Sequence, residues 1–191
     1  MNMNMKTTPN RGVFFASDPH LHHANILSFD KEDGTPLRPG FEDVHHMNEY
    51  IIESYNSVVK PEDKLYILGD VVMKDSTWAL KILERINGIK ILIRGNHDRA
   101  RLSQYAQYFK DVKSEHTYRL TNGKHVLFTH RPTLLHEGHK IAFNVHGHTH
   151  QHDVGDWHHY NLCPEVVGYT PINWDDLHKT LMGIYTKNIT S

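Results

Sequence analysis

Short apolar runs alternate along this chain with stretches in which apolar residues recur every three or four positions. The runs are Val13-Phe14-Phe15-Ala16, Leu65-Tyr66-Ile67-Leu68, Ile89 to Ile93, Val126-Leu127-Phe128 and Ile141 to Val145. Each is bounded by polar or glycine residues and reads as a buried β-strand. Between Glu42 and Val58, Val44, Met47, Ile51, Ile52 and Tyr55 fall at helical spacing. A second helix is expected after Ser76 as its cap, with Trp78, Leu80, Ile82, Leu83 and Ile86 facing inward and Asn87-Gly88 as its stop. Leu102 to Phe109 reads as a short helical turn, and Trp174 to Leu181 as a last helix capped by Asn173. Residues 112–120 alternate weakly and suggest a strand, Asn122-Gly123 suggests a hairpin turn, and Tyr160 to Val167 suggests a late strand. Residues 1–11 read as a flexible tail and 12–191 as one domain. Strands alternating with helices imply an α/β architecture.

The same strands end in an unusual set of polar side chains. In chain order these are Asp18 and His20, then Asp70, then Asn96 and His97 within Gly95-Asn96-His97-Asp98, then His130, then His148 and His150. Strand ends are where α/β proteins place binding and chemistry. His130, standing alone, would more often be a strand-end residue with its own hydrogen bonds; the series in which it stands makes it a candidate ligand.

Composition changes this picture little, with one exception. A hydrophobic content of 38% and a charged content of 23% describe an ordinary globular chain of 191 residues. The formal net charge of −1 gives no global basic field for nucleic acid. No apolar stretch is long enough to span a bilayer, and the polar N-terminus lacks the apolar region of a signal peptide. One cysteine, Cys163, excludes an internal disulfide and fits a reducing compartment, so a cytoplasmic location is expected. Histidine is the exception, with 18 residues. Most are read as solvated or loop histidines, including His116, His136, His139 and His158, with lining of the cleft the alternative for His136 or His139. His146 and His152 are read as neighbours of a motif.

Asp18, His20, Asp70, Asn96, His130, His148 and His150 offer imidazoles, carboxylates and one amide, with no thiolate. Such donors suit Mn²⁺, Fe, Zn²⁺ or Ni²⁺. Seven donors exceed one closed tetrahedral site. They match two sites sharing a bridging carboxylate, the arrangement with metals about 3.5–4 Å apart that clamps both oxygens of a phosphoryl displacement.

Asp-x-His at 18–20, Gly69-Asp70, Gly95-Asn96-His97-Asp98, His130 and Gly147-His148-Thr149-His150, in this order, resemble the calcineurin-like metallophosphoesterase superfamily. The likeness spans residues 13–150. The segment Asp18 to Ile26, with His23 and Asn25, followed by Arg38-Pro39, is similar to its small single-domain bacterial and bacteriophage members. The resemblance implies two β-sheets packed as a sandwich flanked by helices, in four layers α-β-β-α. It implies that Asp18, His20 and His150 hold a first divalent ion, that Asn96, His130 and His148 hold a second, and that Asp70 bridges them. Manganese is the first candidate. His97 would assist the leaving group as general acid, with Asp98 orienting it. His23, Asn25 and Arg38 would contact substrate or build the wall of the loop around it.

The expected activity is hydrolysis of phosphate esters. The run after Asp70 is Val71-Val72-Met73-Lys74, without the Asp-Arg-Gly element of the phosphoprotein phosphatases, and Gly-Asn-His is followed by Asp98 where they tend to carry Glu. Both departures favour a phosphodiesterase acting on nucleotides or small molecules. The alternatives are a phosphomonoesterase, a phosphoprotein phosphatase, or a non-catalytic interaction scaffold of the same fold. A hydrolase of another bond type is a further reading, because two-metal sites also cleave amides. Nucleic acid is expected only as short ends, and neither a membrane nor an obligate protein partner is expected.

Overall fold

A computed structural model describes residues 11–73, 77–136 and 140–189. The expected tail up to residue 10, Ser76 as a cap and His139 lie outside them. Strands β1 (Val13–Ala16), β2 (Lys64–Ile67), β3 (Ile89–Ile93) and β4 (Asp111–Lys113) pair in parallel, and β9 (Ile172–Asn173) runs antiparallel on β1, giving the order β4-β3-β2-β1-β9. A second sheet has the order β5-β6-β7-β8, from β5 (Glu115–Arg119), β6 (His125–Thr129), β7 (Ile141–His146) and β8 (His159–Asn161). Here β5 and β6 form the antiparallel hairpin expected around Asn122-Gly123, and β6, β7 and β8 are parallel.

The two sheets pack face to face, and the apolar runs follow from that. Phe15, Tyr66, Ile91 and Ile93 project from the first sheet into one cluster with Val126, Phe128, Phe143 and Val145 of the second. Phe15 is fully buried, stacked on Tyr66 at 5.1 Å and on Phe128 at 4.3 Å. Truncating a buried aromatic of this kind costs roughly 3–5 kcal/mol. Phe14, Ala16, Leu65 and Ile67 project to the opposite face, against Met47, Ile51, Ile52 and Tyr55 of helix α1 (Val44–Val58). A sheet covered on both faces needs continuous rather than alternating apolar runs. The Asp43 side chain caps α1, accepting from the His46 amide at 2.8 Å. Helix α5 (Trp174–Ile189) adds Leu177 and Leu181 to the cluster between the sheets, and its Tyr185 ring meets Phe143.

Four expected elements differ. The segment after Thr77 is α-helical only as α2 (Thr77–Leu80) and tightens to a 3₁₀ turn over Lys81–Arg85. The tighter winding turns Ala79, Leu80, Ile82, Leu83 and Ile86 inward and leaves Trp78 59% exposed. Helix α3 stops at Leu102–Tyr105. The weak strand at 112–120 is two strands, because the chain crosses from one sheet to the other at Ser114. The late strand keeps only β8. Pro164, which has no N–H for a ladder, opens the short helix α4 (Pro164–Val167) instead.

The C-terminal ends of β1, β2 and β3 and of β6 and β7 lead into the turns that carry the polar series. Among the described residues no helix is long and apolar enough to cross a membrane.

Candidate metal centre

Five of the seven predicted ligands sit in left-handed backbone. Asp18, His20, Asp70, His148 and His150 have φ of 47°, 50°, 51°, 69° and 49°. Left-handed φ disfavours residues with a Cβ by roughly 1–2 kcal/mol each, and such outliers gather at functional sites. Among the described non-glycine residues only His22 shares the conformation. The sharp turns bring strand ends into close contact. A Cβ at Gly95 would overlap Asp70 Oδ1, and one at Gly147 would overlap Asp18 Oδ2 and Ser17 Oγ.

The structure gathers the series into two clusters, Asp18 with His20 and His150, and Asp70 with His130 and His148. In each carboxylate one oxygen is tied to the protein and the other is presented inward. Asp18 Oδ2 accepts from the Ser17 hydroxyl, from the His148 amide at 2.9 Å and from the Cys163 thiol at 3.5 Å. Asp18 Oδ1 is buried without a hydrogen-bond partner. Asp70 Oδ1 accepts from the His97 amide at 2.8 Å, while Oδ2 lies 3.8 Å from His20 Nε2 and 3.5 Å from His130 Nε2. Asp70 therefore faces an imidazole of each cluster.

The donor set fits cations at both places. His20 Nε2 is buried without a partner, 3.5 Å from the bare Asp18 Oδ1. A buried polar group left unpaired costs roughly 1–3 kcal/mol, and a cation between these two atoms would satisfy both. His130 Nδ1 lies 2.8 Å from the Leu68 carbonyl, which can only accept, so in the neutral ring Nε2 carries the lone pair. That lone pair faces Asn96 Oδ1 at 2.9 Å. A cation shared by the two would bring Asn96 into the second cluster, beside Asp70, His130 and His148.

Charge follows the same pattern. Burial alone would raise the Asp18 carboxyl, but the His20 contact, His130 and the Ser17 hydroxyl hold it well below the ordinary carboxylate range. Burial, with His130 and Arg131 nearby, lowers His148 and favours the neutral imidazole that a metal requires. Burial lowers His150 most, but its hydrogen bond to Glu165 and the charges of Glu165 and Asp18 together outweigh that and raise it.

The remaining predicted residues divide. His97 is half-buried and belongs to neither cluster, its ring centroid 6.0 Å from that of His20. His23 Nδ1 lies 3.3 Å from His20 Nδ1, and burial followed by the neighbouring positive groups pushes its pKa down to about 4. Asn25 is exposed and lines a cavity of about 460 Å³ with His22, His23 and Met73. Of the two readings of Arg38, substrate contact or loop wall, its contacts fit the second. Its side chain is buried, donating to Glu165 Oε1 at 2.7 Å and to the carbonyls of Pro19 and Asp18 at 3.0 and 2.7 Å. Asp98 departs from the expected role of orienting the His97 ring. Its carboxylate accepts from the amides of Asp70 and Gly95 at 2.8 Å each and from Val71 at 3.0 Å, pinning two strand-end turns together.

Glu165 was missed by the sequence reading. It lies 15 residues beyond His150 on α4 and belongs to no motif, so nothing in the sequence signals it.

No family model matches the chain. An uncharacterized protein of Methanocaldococcus jannaschii, MJ1445, is 28% identical to it over 180 residues, 90% of this chain and 92% of that protein. The crystal structure of a protein of unknown function from Aquifex aeolicus, AQ665, is similar with a TM-score of 0.69 and 27% identity, over 90% of this chain and 100% of that one. An archaeal phosphodiesterase of solved structure is 18% identical with a TM-score of 0.43, over 82% of this chain and 88% of that one.

Proposed function

We propose that this protein is a phosphoesterase dependent on two divalent metal ions, acting on phosphodiesters of nucleotides or small molecules in preference to monoesters. The observation that carries the proposal is the position of Asp70 Oδ2, which faces an imidazole from each of two candidate ligand clusters, beside the unpartnered Asp18 Oδ1 and His20 Nε2 of the first. Asp18, His20 and His150 would hold one ion and Asn96, His130 and His148 the other, with Asp70 shared. Ions bound there supply positive charge against an anionic ester and acidify a water toward neutral pH. Manganese is taken as the first candidate among Mn²⁺, Fe, Zn²⁺ and Ni²⁺, all compatible with imidazole, carboxylate and amide donors without thiolate.

The chain's own residues have separable tasks. Ser17, the His148 amide and Cys163 hold Asp18 Oδ2, so that Oδ1 points inward. The Leu68 carbonyl sets the tautomer of His130. His97, tethered through its amide to Asp70 Oδ1 and outside both clusters, would hold a proton for the departing alkoxide. His23 and Asn25, on the wall of the adjoining cavity, would contact the ester.

The test is hydrolysis of bis-p-nitrophenyl phosphate and of p-nitrophenyl phosphate by the metal-stripped protein reconstituted with Mn²⁺. The expected result is manganese-dependent turnover, faster on the diester and lost in Asp70→Asn. Absence of turnover on both esters, in protein shown to hold manganese, would defeat the proposal.

A further inference from the structure

A buried chain of charge runs beside the first cluster, and the chemistry proposed above leaves it without a task. The Glu165 carboxylate is fully buried, and its Oε1 receives two donors, His150 Nδ1 at 3.0 Å and Arg38 Nε at 2.7 Å. Arg38, also fully buried, continues to the carbonyls of Asp18 and Pro19. Three stretches far apart in sequence thus converge: the turn carrying Asp18 and His20, the loop carrying Arg38, and α4. Arg38 and Glu165 are 127 positions apart.

Two buried charges that merely neutralise one another are a poor source of stability, because desolvation offsets their attraction. This pair does something more specific. A carboxylate on Nδ1 makes Nδ1 the protonated nitrogen and leaves Nε2 with the lone pair. It also makes the imidazole a stronger donor, and groups in this position commonly govern metal affinity. At the other end, Arg38 grips the carbonyls of Asp18 and Pro19, the left-handed turn that aims Asp18 Oδ1 and His20 Nε2. In the second cluster His130 Nδ1 rests on a backbone carbonyl instead, and the Asp98 carboxylate holds the amides of the Asp70 turn.

We propose that Glu165 is a positioning residue for the first metal site, setting the His150 tautomer directly and the Asp18 turn through Arg38, so that the two sites differ in their dependence on it. The proposal rests on the two-metal reading above. The experiment is calorimetric titration of the metal-stripped full chain with Mn²⁺ alone, with bound manganese counted after equilibrium dialysis, for wild type, Glu165→Gln and Glu165→Asp. Glu165→Gln keeps the shape of the side chain and removes its charge. Glu165→Asp keeps the charge facing Arg38 but draws it back by one methylene, which retains a readout if the amide variant does not fold. The expected result is two sites in wild type, and in the variants one site weakened by about 10–100-fold with the other unchanged. Two sites of unchanged affinity, or equal weakening of both, would overturn the proposal. Wild type that binds no manganese would instead overturn the two-metal reading on which it rests.

Discussion

Asp18 and His150 are held mainly by side chains, whereas Asp70 and His130 are held largely by backbone. In the first cluster the fixing groups are the side chains of Ser17, Cys163, Arg38 and Glu165, with one backbone group, the His148 amide. In the second they are the His97 amide and the Leu68 carbonyl, with the Asp98 carboxylate clamping the amides of the turn itself. The same kind of candidate ligand is thus positioned by two kinds of support. Backbone support comes with the strands and is as rigid as the sheet. Side-chain support must be assembled from distant segments, and it can be removed one atom at a time.

The largest effect should come where the two meet. Asp70→Asn removes charge from the oxygen facing His20 and His130, so occupancy of both clusters should collapse, read as manganese per chain by elemental analysis. Its loss of turnover should exceed the roughly 10²–10⁴-fold attached to an acid–base group. Loss of a single ion would show that the clusters are independent and that Asp70 serves only one. Next in size is His97→Ala, expected to lower turnover about 10²–10⁴-fold with both ions retained. Stripping of metal by this substitution would make His97 a ligand and redraw the second cluster.

Smaller is the effect of Asp98→Asn. Asp98 carries three amide donors on two oxygens, and the amide side chain leaves one oxygen to accept them. Roughly 1–3 kcal/mol of stability should be lost, measured by urea unfolding of the metal-free chain. A neutral outcome would mean that the turns hold themselves and that the backbone support is intrinsic to the strands. The smallest effect concerns a group remote from both clusters. His116 lies on β5, stacked on Tyr66 at 4.8 Å, and burial followed by Lys113 and Lys64 holds its pKa below the ordinary value of 6.5. A folded-state pKa below the unfolded one means that the unfolded chain binds the extra proton. The stability is therefore present above 6.5 and declines as pH falls toward the folded value. In His116→Phe, which keeps the stack, the drop in urea midpoint between about pH 7.5 and 5.5 should be shallower than in wild type. An unchanged slope would place all of that pH dependence elsewhere.

The contrast between the clusters also explains what could be read from the sequence. The buried strands were legible because a sheet covered on both faces demands uninterrupted apolar runs, and the helix face at Met47, Ile51, Ile52 and Tyr55 because it repeats at helical spacing. The seven candidate ligands were legible because each follows such a strand within a few residues. Roles were less so. The spacing places Asp98 beside His97, but the fold turns its carboxylate onto amides of two turns. Arg38 follows the segment with His23 and Asn25, yet its guanidinium turns inward to a carboxylate 127 positions away. Glu165 has no local pattern, since its meaning arises only once α4 docks behind the first turn. Trp78 was misplaced for a more local reason, the tightening of its helix into a 3₁₀ turn.

The left-handed backbone at Asp18, His20, Asp70, His148 and His150 has a consequence for directed evolution of this chain. Glycine is the residue most at ease in that conformation. Replacing His148, whose φ is 69°, with glycine should relieve backbone strain while removing a candidate ligand. A mutant library ranked by heat resistance alone would therefore favour dead variants at these positions, and a thermostabilised form that keeps its function has to be selected for both properties at once.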